Sequence, residues 1–245
     1  MTLGGPTGFP PSAAAGKGVG ATADLPPPSF LHRLDPAQQE QLLGLGRTRR
    51  YPAQSILFFE GDEAHDVLVV RSGELKVAHT VGGHEVVLDV LTAGDVLGEL
   101  SAIDGRPRSA TATALTGAEV ASIPAPAFMA FLGEHPRAGL ALLRCVTGRL
   151  RDASRRQVEY GALDALGRVC RRLLELRDRY GQVSGDGVVI TGPLTQSDIA
   201  AWAGLSREAV VRALHGLRTL GWVATTPRSI TVLDVDAVTA RASLG

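Results

Sequence analysis

Between residues 56 and 95 the chain alternates short apolar runs with pairs of turn-forming residues. Each run contains three or four apolar positions and leads to a pair made of glycine, aspartate or serine. Regular spacing of this kind is typical of short β-strands joined by hairpins, and a further apolar stretch covers residues 111–123. The pattern predicts an all-β sandwich or small barrel. The runs are residues 56–59, 67–70, 75–78 and 86–88; the pairs are Gly61-Asp62, Ser72-Gly73, Gly82-Gly83 and Gly94-Asp95.

The pattern is helical on both sides of this region. Residues 30–46 suit a short helix that begins near Pro36, and a longer helical pattern follows Pro126. In the longer segment a seam recurs at steps of three and four, which fits the a and d positions of a coiled coil and predicts a dimer interface. Because the seam covers fewer than three heptads, packing of this helix on its own domain is an alternative. The seam residues are Leu143, Val146, Leu150, Ala153, Gln157 and Tyr160.

The next segment predicts another helix and a short strand. Asp164 suits the N-cap of a helix after a hinge at residues 161–164. Residues 181–187 read as a loop, and residues 188–190 as a short strand.

A helix-turn-helix pattern covers residues 194–223, LTQSDIAAWAGLSREAVVRALHGLRTLGWV. Thr195 and Asp198 fit a capping box that starts one helix, and Gly204 suits its end. Ser206 then caps a second helix. A short helix, a glycine turn and a second capped helix are the parts of this motif.

The second helix has an apolar face and a charged face. Val210, Ala213, Leu214 and Leu217 form the apolar face, and the other side carries Arg207, Glu208, Val211, Arg212 and His215. In a helix-turn-helix the second helix enters the major groove, where arginine donates to guanine and glutamate accepts from cytosine. The pattern therefore predicts recognition of G·C pairs; the alternative is a solvated face of an ordinary helical hairpin. Residues 222–233 read as the hairpin of a wing, with Arg228 at its tip.

Charge and composition narrow the classes of function. The net charge is zero, but it divides into −2 over residues 1–161 and +2 over residues 162–245, a weak asymmetry towards DNA binding at the C-terminal end. Residues 1–28 are rich in glycine, proline and alanine, so we expect a disordered extension. No apolar run approaches a membrane span and no signal-peptide pattern is present, so we expect a cytoplasmic protein without a membrane partner.

The cysteines and histidines give no sign of a metal centre. Cys145 and Cys170 belong to no C-x-x-C pair, and an iron–sulfur cluster needs about four cysteine ligands. The six histidines show no metal-ligand spacing, and none stands out as a haem ligand. We therefore expect no metal, haem or iron–sulfur cluster. An enzyme of the cupin type is also disfavoured, since its chemistry needs a histidine-rich metal site, and we identify no catalytic residue.

The loop at residues 98–111, GELSAIDGRPRSAT, combines a carboxylate with anion-binding groups. Gly98 opens a helical turn with free N–H groups, and Arg108 offers a planar fork of donors to a phosphate. Ser109 adds a hydroxyl, and Ser109 and Ala110 add backbone donors. Glu99 is an acceptor that suits a sugar hydroxyl. The sequence therefore predicts a site for a ribose phosphate.

With GEL…RSAT, a long helix and LSREAVVR in this order, the chain resembles the cyclic-AMP receptor protein family of bacterial regulators, which is grouped with the fumarate-nitrate regulators. The resemblance runs from about residue 30 to the C-terminus. It implies an α+β fold: a cyclic-nucleotide-binding β-roll, also described as a double-stranded β-helix, over residues 29–135; a dimerisation helix over 136–161; and a winged helix-turn-helix over 162–245.

The resemblance also implies roles for individual residues. Glu99 is expected to bind the ribose 2′-hydroxyl, Arg108 and Ser109 the cyclic phosphate, and Arg149 and Ser154 to lie near the ligand. The full ligand set is Gly98, Glu99, Leu100, Arg108, Ser109, Ala110, Arg149 and Ser154. The DNA-binding set is Thr195, Gln196, Ser206, Arg207, Glu208, Arg212 and Arg228.

The effector and partners follow from the same resemblance. It implies a homodimer that binds double-stranded DNA at a near-palindromic TGTGA-like site, with RNA polymerase as a partner and residues 182–186 as a candidate contact surface. Cyclic AMP is the favoured effector. Where well-known members carry a threonine that bonds the adenine, this chain has Ala153, so cyclic GMP stays open. A ligand-independent or differently gated regulator with constitutive DNA binding is the alternative.

Overall fold

The computed structural model describes residues 29–185 and 187–243. The disorder predicted for residues 1–28 concerns a segment outside the described residues. Strands dominate the N-terminal half, as predicted. They are β1 (Arg47–Tyr51), β2 (Ile56–Phe58), β3 (Asp66–Ser72), β4 (Leu75–Val81), β5 (His84–Leu91), β6 (Val96–Leu97), β7 (Thr111–Ala114) and β8 (Ala118–Pro124).

These strands form two antiparallel four-stranded sheets, in the orders β1-β8-β3-β6 and β2-β7-β4-β5. One core is shared between the sheets and is built from side chains such as Leu68, Leu75 and Val120, which are almost fully buried. The turn between β3 and β4 needs Gly73, because its φ is +81° and a Cβ there would meet the backbone of Gly117 and Ala118. The apolar runs thus fold as the predicted β-roll.

After a 3-10 helix at Leu31–Arg33, the described residues of this half contain four α-helices: α1 (Pro36–Gly44), α2 (Glu99–Asp104), α3 (Ala125–Glu134) and α4 (Pro136–Ala162). Asp35 caps α1 by accepting from the backbone of Gln38, and Pro36 occupies its first turn. A second apolar core joins α1, α3 and the start of α4 to the β1-β8-β3-β6 sheet. At 27 residues, α4 is about 40 Å long.

The C-terminal part contains α5 (Ala165–Tyr180), β9 (Gly181–Ser184), β10 (Gly187–Ile190), α6 (Gln196–Ala203), α7 (Arg207–Thr219), β11 (Val223–Thr225), β12 (Ile230–Val232) and α8 (Val235–Ala242). Asp164 caps α5 as predicted, by accepting from Gly167. The strands form one sheet in the order β11-β12-β10-β9. The predicted wing hairpin is confirmed as the β11–β12 pair.

The prediction of a loop over residues 181–187 was wrong. Gly181–Ser184 forms β9, which pairs with β10 through backbone bonds in the register Val183 to Val188. All four residues of β9 are exposed, so no alternation of apolar and polar positions marks this edge strand in the sequence.

The C-terminal domain packs against β4 and β5 of the β-roll. Val87 and Val90 of β5 share an apolar cluster with Leu173 of α5 and Trp202 of α6. At the same boundary Lys76 of β4 forms an ion pair with the carboxylate of Asp198 in α6, with 2.8 Å between Nζ and Oδ1. The two domains therefore meet on the strands that also border the site described below.

The helices of residues 29–185 and 187–243 differ from membrane spans in length or composition. None of these helices is both long enough and apolar enough to span a bilayer.

Candidate functional site

A cavity of about 540 Å³ lies between the β-roll and α4. Strands β4 and β5 form one wall, the loop of residues 97–101 and 108–110 forms the floor, and one face of α4 closes the other side. Of the predicted ligand set, Gly98, Glu99, Leu100, Arg108, Ser109, Ala110 and Arg149 line this cavity. The loop therefore gathers its charged and small residues around one space.

The position of Arg108 depends on Gly98. Gly98 has φ +78° and caps α2, and a Cβ there would collide with Nη1 of Arg108. Nη1 donates to the carbonyl oxygen of Gly98 at 3.3 Å. A side chain at position 98 would thus strain the backbone and displace the guanidinium.

The guanidinium of Arg108 is buried, with its Cζ 4.3 Å from the centre of the Phe58 ring. Its Nη2 donates to Oδ1 of Asp66 at 2.6 Å, and Asp66 also accepts from the hydroxyl of Ser122. Among the described residues its Nε is buried and has no hydrogen-bond partner. A buried donor without a partner is costly, so the guanidinium of Arg108 is not fully satisfied within the chain.

Glu99 is buried beside Arg149 of α4. Nη1 of Arg149 donates to Oε1 of Glu99 at 2.9 Å, and Nη2 donates to the carbonyl oxygen of Val96 at 2.6 Å. Burial lowers the pKa of Arg149, but Glu99 and Asp89 outweigh burial and hold that pKa above its ordinary value. No described residue donates to Oε2 of Glu99, which leaves an acceptor for a hydroxyl.

The remaining members of the ligand set differ in exposure. Ala110 is buried, whereas Ser109 and Leu100 are exposed at the mouth of the cavity. Ser154 does not line the cavity; its hydroxyl donates to the carbonyl oxygen of Leu150 one turn back in α4. Its role at the ligand stays a prediction.

The seam of α4 is largely uncovered in the single chain. Leu143 and Leu150 are 60% and 65% exposed, and Ala153, Gln157 and Tyr160 are also exposed. Apart from Leu143, the seam residues line the cavity, including half-buried Val146. The same helix face thus borders the ligand space and offers apolar side chains to a partner.

The predicted caps of the helix-turn-helix are confirmed. Thr195 and Asp198 bond reciprocally at the start of α6, and Gly204 ends α6 with φ +61°. Ser206 accepts from the backbone of Ala209 at the start of α7. These local bonds define the ends of α6 and the start of α7.

The two faces of α7 are arranged as predicted. Val210, Ala213, Leu214 and Leu217 are buried in the domain core. The outer face is exposed to solvent. It carries Arg207, Glu208 and Arg212, all exposed, as are Thr195, Gln196, Ser206 and the wing residue Arg228.

In residues 29–185 and 187–243, no three side chains of histidine, cysteine, aspartate or glutamate are grouped so that they could hold a metal ion. Burial raises the pKa of the Cys170 thiol to about 11, so this cysteine stays protonated in the core.

Several residues of the site were missed by sequence reasoning. Asp66 and Phe58, which hold Arg108, belong to strands far from the loop in the chain. The cavity is also lined by Asp89, Arg156 and Gln157. Of these, only Gln157 was identified from the sequence, and it was assigned to the seam of the dimer helix rather than to the ligand site. No local pattern marks these positions, because the folding of the sheets and of α4 brings them to the loop.

Two family models match the chain. The cyclic nucleotide-binding domain matches residues 48–135, and the Crp-like helix-turn-helix domain matches residues 167–241; together they span two thirds of the chain. The chain is also 31% identical to the CRP-like cAMP-activated global transcriptional regulator of Mycobacterium tuberculosis, over 78% of this chain and 86% of that protein. The chain belongs to the cyclic-AMP receptor protein family. Members of this family are transcription regulators, not enzymes.

Two further comparisons extend the family relationship. The Cyclic AMP receptor protein of Thermus thermophilus is 32% identical over 84% of this chain and 92% of that protein. The c-di-GMP responsive global regulator CLP of Xanthomonas campestris has the same fold, with a TM-score of 0.74, 24% identity, and coverage of 81% of this chain and 99% of that one. The cavity therefore lies in a cyclic-nucleotide-binding domain, and α6 and α7 form the DNA-binding motif of this family.

Proposed function

We propose that the protein is a cyclic-nucleotide-dependent transcription regulator, with cyclic AMP as effector, that acts as a homodimer. The observation that carries this proposal is that a buried arginine, Arg108, and a buried glutamate, Glu99, line the same cavity. Arginine suits the cyclic phosphate and glutamate suits the ribose 2′-hydroxyl. Cyclic AMP is favoured because the relatives from Mycobacterium and Thermus are named for it.

The ligand is surrounded by two segments of the loop in the β-roll and by α4. Arg108 and the hydroxyl of Ser109 bind the phosphate, while Gly98 and Ala110 leave room for the ligand to approach the backbone. Leu100 covers the mouth, and Arg149 fixes Glu99 from α4. Ser154 of α4 does not line this cavity, so its place in the ligand set rests on the relationship to the cyclic-AMP receptor protein family.

Binding in the cavity is coupled to the DNA-binding domain through β5 and α4. Val87 of β5 lines the cavity and also packs in the cluster that contains Trp202 of α6. On the opposite wall, Arg149 ties α4 to the floor of the site. These elements have an arrangement that binds DNA and one that does not. A ligand that binds the first arrangement more tightly increases its population and so raises the affinity for DNA.

The dimer and its DNA site follow from α4 and α7. When two α4 helices pair through the exposed seam, Leu143 and Leu150 become buried. The pairing also positions the two α7 helices so that each enters one of two successive major grooves. Arg207, Glu208 and Arg212 read the bases of a TGTGA-like half-site. The sugar-phosphate backbone of the DNA is contacted by Thr195, Gln196, Ser206 and Arg228. RNA polymerase is the expected protein partner, and the cytoplasm the expected location.

The test of ligand binding compares two arginines of the same loop. Arg108→Lys keeps a positive charge for Asp66 but loses the planar fork, so we expect the affinity for cyclic AMP to fall by at least tenfold in calorimetric titration. Arg106→Lys is the control, because the side chain of Arg106 is exposed and does not line the cavity. Equal affinity of both variants and the wild type would remove Arg108 from the site.

A second candidate is a ligand-independent or differently gated regulator. Arg108 is already paired with Asp66, and Glu99 with Arg149, so much of the loop's charge is satisfied within the chain. The c-di-GMP responsive regulator from Xanthomonas shares the fold, so the fold alone does not determine the effector. DNA affinity that does not change with cyclic AMP or cyclic GMP would favour this candidate.

A further inference from the structure

Asp89 of β5 lies between the nucleotide cavity and the C-terminal domain. It lines the cavity described above and also a second cavity of about 490 Å³. Arg149 of α4 lines both cavities, and Arg179, near the end of α5, lines the second. The two cavities therefore share a wall that contains charged side chains.

These side chains form a chain of alternating charges. It begins at Glu99, whose Oε1 is 2.9 Å from Nη1 of Arg149. Nε of Arg149 is in turn 3.5 Å from Oδ2 of Asp89. The other oxygen of Asp89, Oδ1, is 3.7 Å from Nη2 of Arg179. The two inner members, Arg149 and Asp89, thus each divide their charge between two neighbours.

The far end of the chain reaches the helix-turn-helix. Nη1 of Arg179 donates to the carbonyl oxygen of Val90 in β5 at 2.6 Å. The Cζ atom of Arg179 lies 5.7 Å from the centre of the Trp202 ring in α6, within the range of a cation–π contact. Trp202 is buried in the core of the DNA-binding domain. The chain of charges therefore runs from the proposed ribose-binding carboxylate to the first helix of the DNA-binding motif.

The two pairs of Asp89 differ from the other ion pair between the domains. The side chains in them are 26–29% exposed, and their distances exceed the 2.8 Å between Lys76 and Asp198. Partly exposed pairs contribute little to stability, so their geometry changes at low cost. Lys76 does not line the nucleotide cavity, whereas Asp89 does. The pairs of Asp89 are therefore the ones that a bound nucleotide can reach.

We propose that Asp89 and Arg179 are positioning residues that transmit occupation of the nucleotide cavity to α5 and α6. This inference rests on the proposed function. A ribose hydroxyl that donates to Glu99 takes up part of the charge of its carboxylate, so the guanidinium of Arg149 redistributes between Glu99 and Asp89. Asp89 redistributes in turn between its two arginines. The hold of β5 on α5 then differs between the free and the occupied protein, as coupling between two sites requires.

The test measures the DNA affinity of the full-length protein with and without cyclic AMP. Fluorescence anisotropy at fixed salt, with a labelled duplex that contains TGTGA and its inverted repeat, gives the ratio of the two dissociation constants, which is the coupling. Arg179→Gln removes the cation and keeps a donor for Val90, so we expect this ratio to fall by about fivefold, the upper size for a partly exposed pair. Arg179→Lys keeps a cation for Asp89 and should retain most of the ratio.

A matched control and a double variant locate the effect in the pair. Arg177→Gln changes the same helix two residues earlier, where Nη2 of Arg177 is 2.6 Å from Oδ1 of the adjacent Asp178, and should leave the ratio unchanged. Asp89→Asn breaks the chain from the β5 side. Because the two residues act through one another, adding Arg179→Gln to Asp89→Asn should lower the ratio no further.

The outcomes separate this inference from the proposed function. A merely structural role of Arg179 would weaken DNA binding equally with and without cyclic AMP and leave the ratio unchanged. If the wild type responds to cyclic AMP and Arg179→Gln responds as strongly, or if the effects of the two variants add, the inference is overturned alone. If the DNA affinity of the wild type does not depend on cyclic AMP, the proposed function is refuted and the inference with it.

Discussion

The ion pair between Lys76 and Asp198 is the polar link between the β-roll and α6, and its removal should weaken the whole molecule. Nζ of Lys76 is 2.8 Å from Oδ1 of Asp198 and 2.7 Å from Oε2 of Glu85. The side chains of Lys76 and Asp198 are each 11% exposed. Asp198 also caps α6 by accepting from the backbone and hydroxyl of Thr195. Lys76→Met removes the cation and keeps the apolar stem.

Breaking a buried pair by removing one partner costs about 3–5 kcal/mol. Here Asp198 retains its two bonds from Thr195, and Glu85 is 41% exposed, so water reaches the edge of the cluster. We therefore expect Lys76→Met to lower the free energy of unfolding by about 2–3 kcal/mol. For a chain of this size this corresponds to a fall in Tm of roughly 5–10 °C.

The stability that the Lys76–Asp198 pair contributes is expected to decrease at both low and high pH. Burial raises the pKa of Asp198, but Lys76 and Thr195 outweigh burial and hold that pKa below its ordinary 3.8. Burial likewise lowers the pKa of Lys76, but Asp198 and Glu85 raise it above the ordinary 10.5. The contribution of Asp198 is present above pH 3.8 and is lost as pH falls through the folded pKa. That of Lys76 is present below pH 10.5 and is lost as pH rises through the folded pKa.

The assay is urea unfolding of the wild type and Lys76→Met between about pH 3 and 9, the range that covers the lower transition. Arg50→Met is the matched control: its pair with Glu119 is exposed, so a change below about 1 kcal/mol is expected. The reasoning is refuted if Lys76→Met is as stable as the wild type at neutral pH. It is also refuted if the difference between the two proteins grows as the solution becomes acidic.

Two further predictions concern DNA binding and dimer formation. Arg212→Ala should cost about 1–3 kcal/mol of DNA-binding free energy and relax the preference at one G·C pair, measured by titrating duplexes with single base changes; uniform weakening on all duplexes would make Arg212 a phosphate contact. Leu150→Glu should convert the proposed dimer to a monomer in sedimentation velocity, because it places charges opposite each other in the seam. Arg151→Glu is its control, and a stable dimer of Leu150→Glu would locate the interface elsewhere.

Features that depend on neighbouring residues were predictable from the sequence. The capping box of Thr195 and Asp198, the cap at Ser206 and the end of α6 at Gly204 each need only three or four residues, and all are present in the structure. Strands β2 to β5, β7 and β8 were predictable because their apolar runs alternate with turn pairs, whereas β1, which is polar and exposed, and the two-residue β6 were not predicted.

Features that depend on distant residues were not predictable. Asp66 and Arg108 are 42 residues apart, and Lys76 and Asp198 are 122 apart, so no local pattern connects either pair. Strand β9 was also not predicted, because its exposed edge residues show no alternation of apolar and polar positions. The charge balance within the cavity and the packing of α6 on β5 are consequences of the tertiary fold.

The most direct test of the account is fluorescence anisotropy of a labelled duplex with TGTGA and its inverted repeat, whose centres lie about one helical turn apart. The full-length protein is titrated at fixed salt without ligand, with cyclic AMP and with cyclic GMP, since salt changes the affinity of any DNA-binding protein. The account predicts tight binding with cyclic AMP and weaker binding in the other two titrations. Equal affinity in all three would contradict gating by a cyclic nucleotide and leave a regulator with constitutive DNA binding.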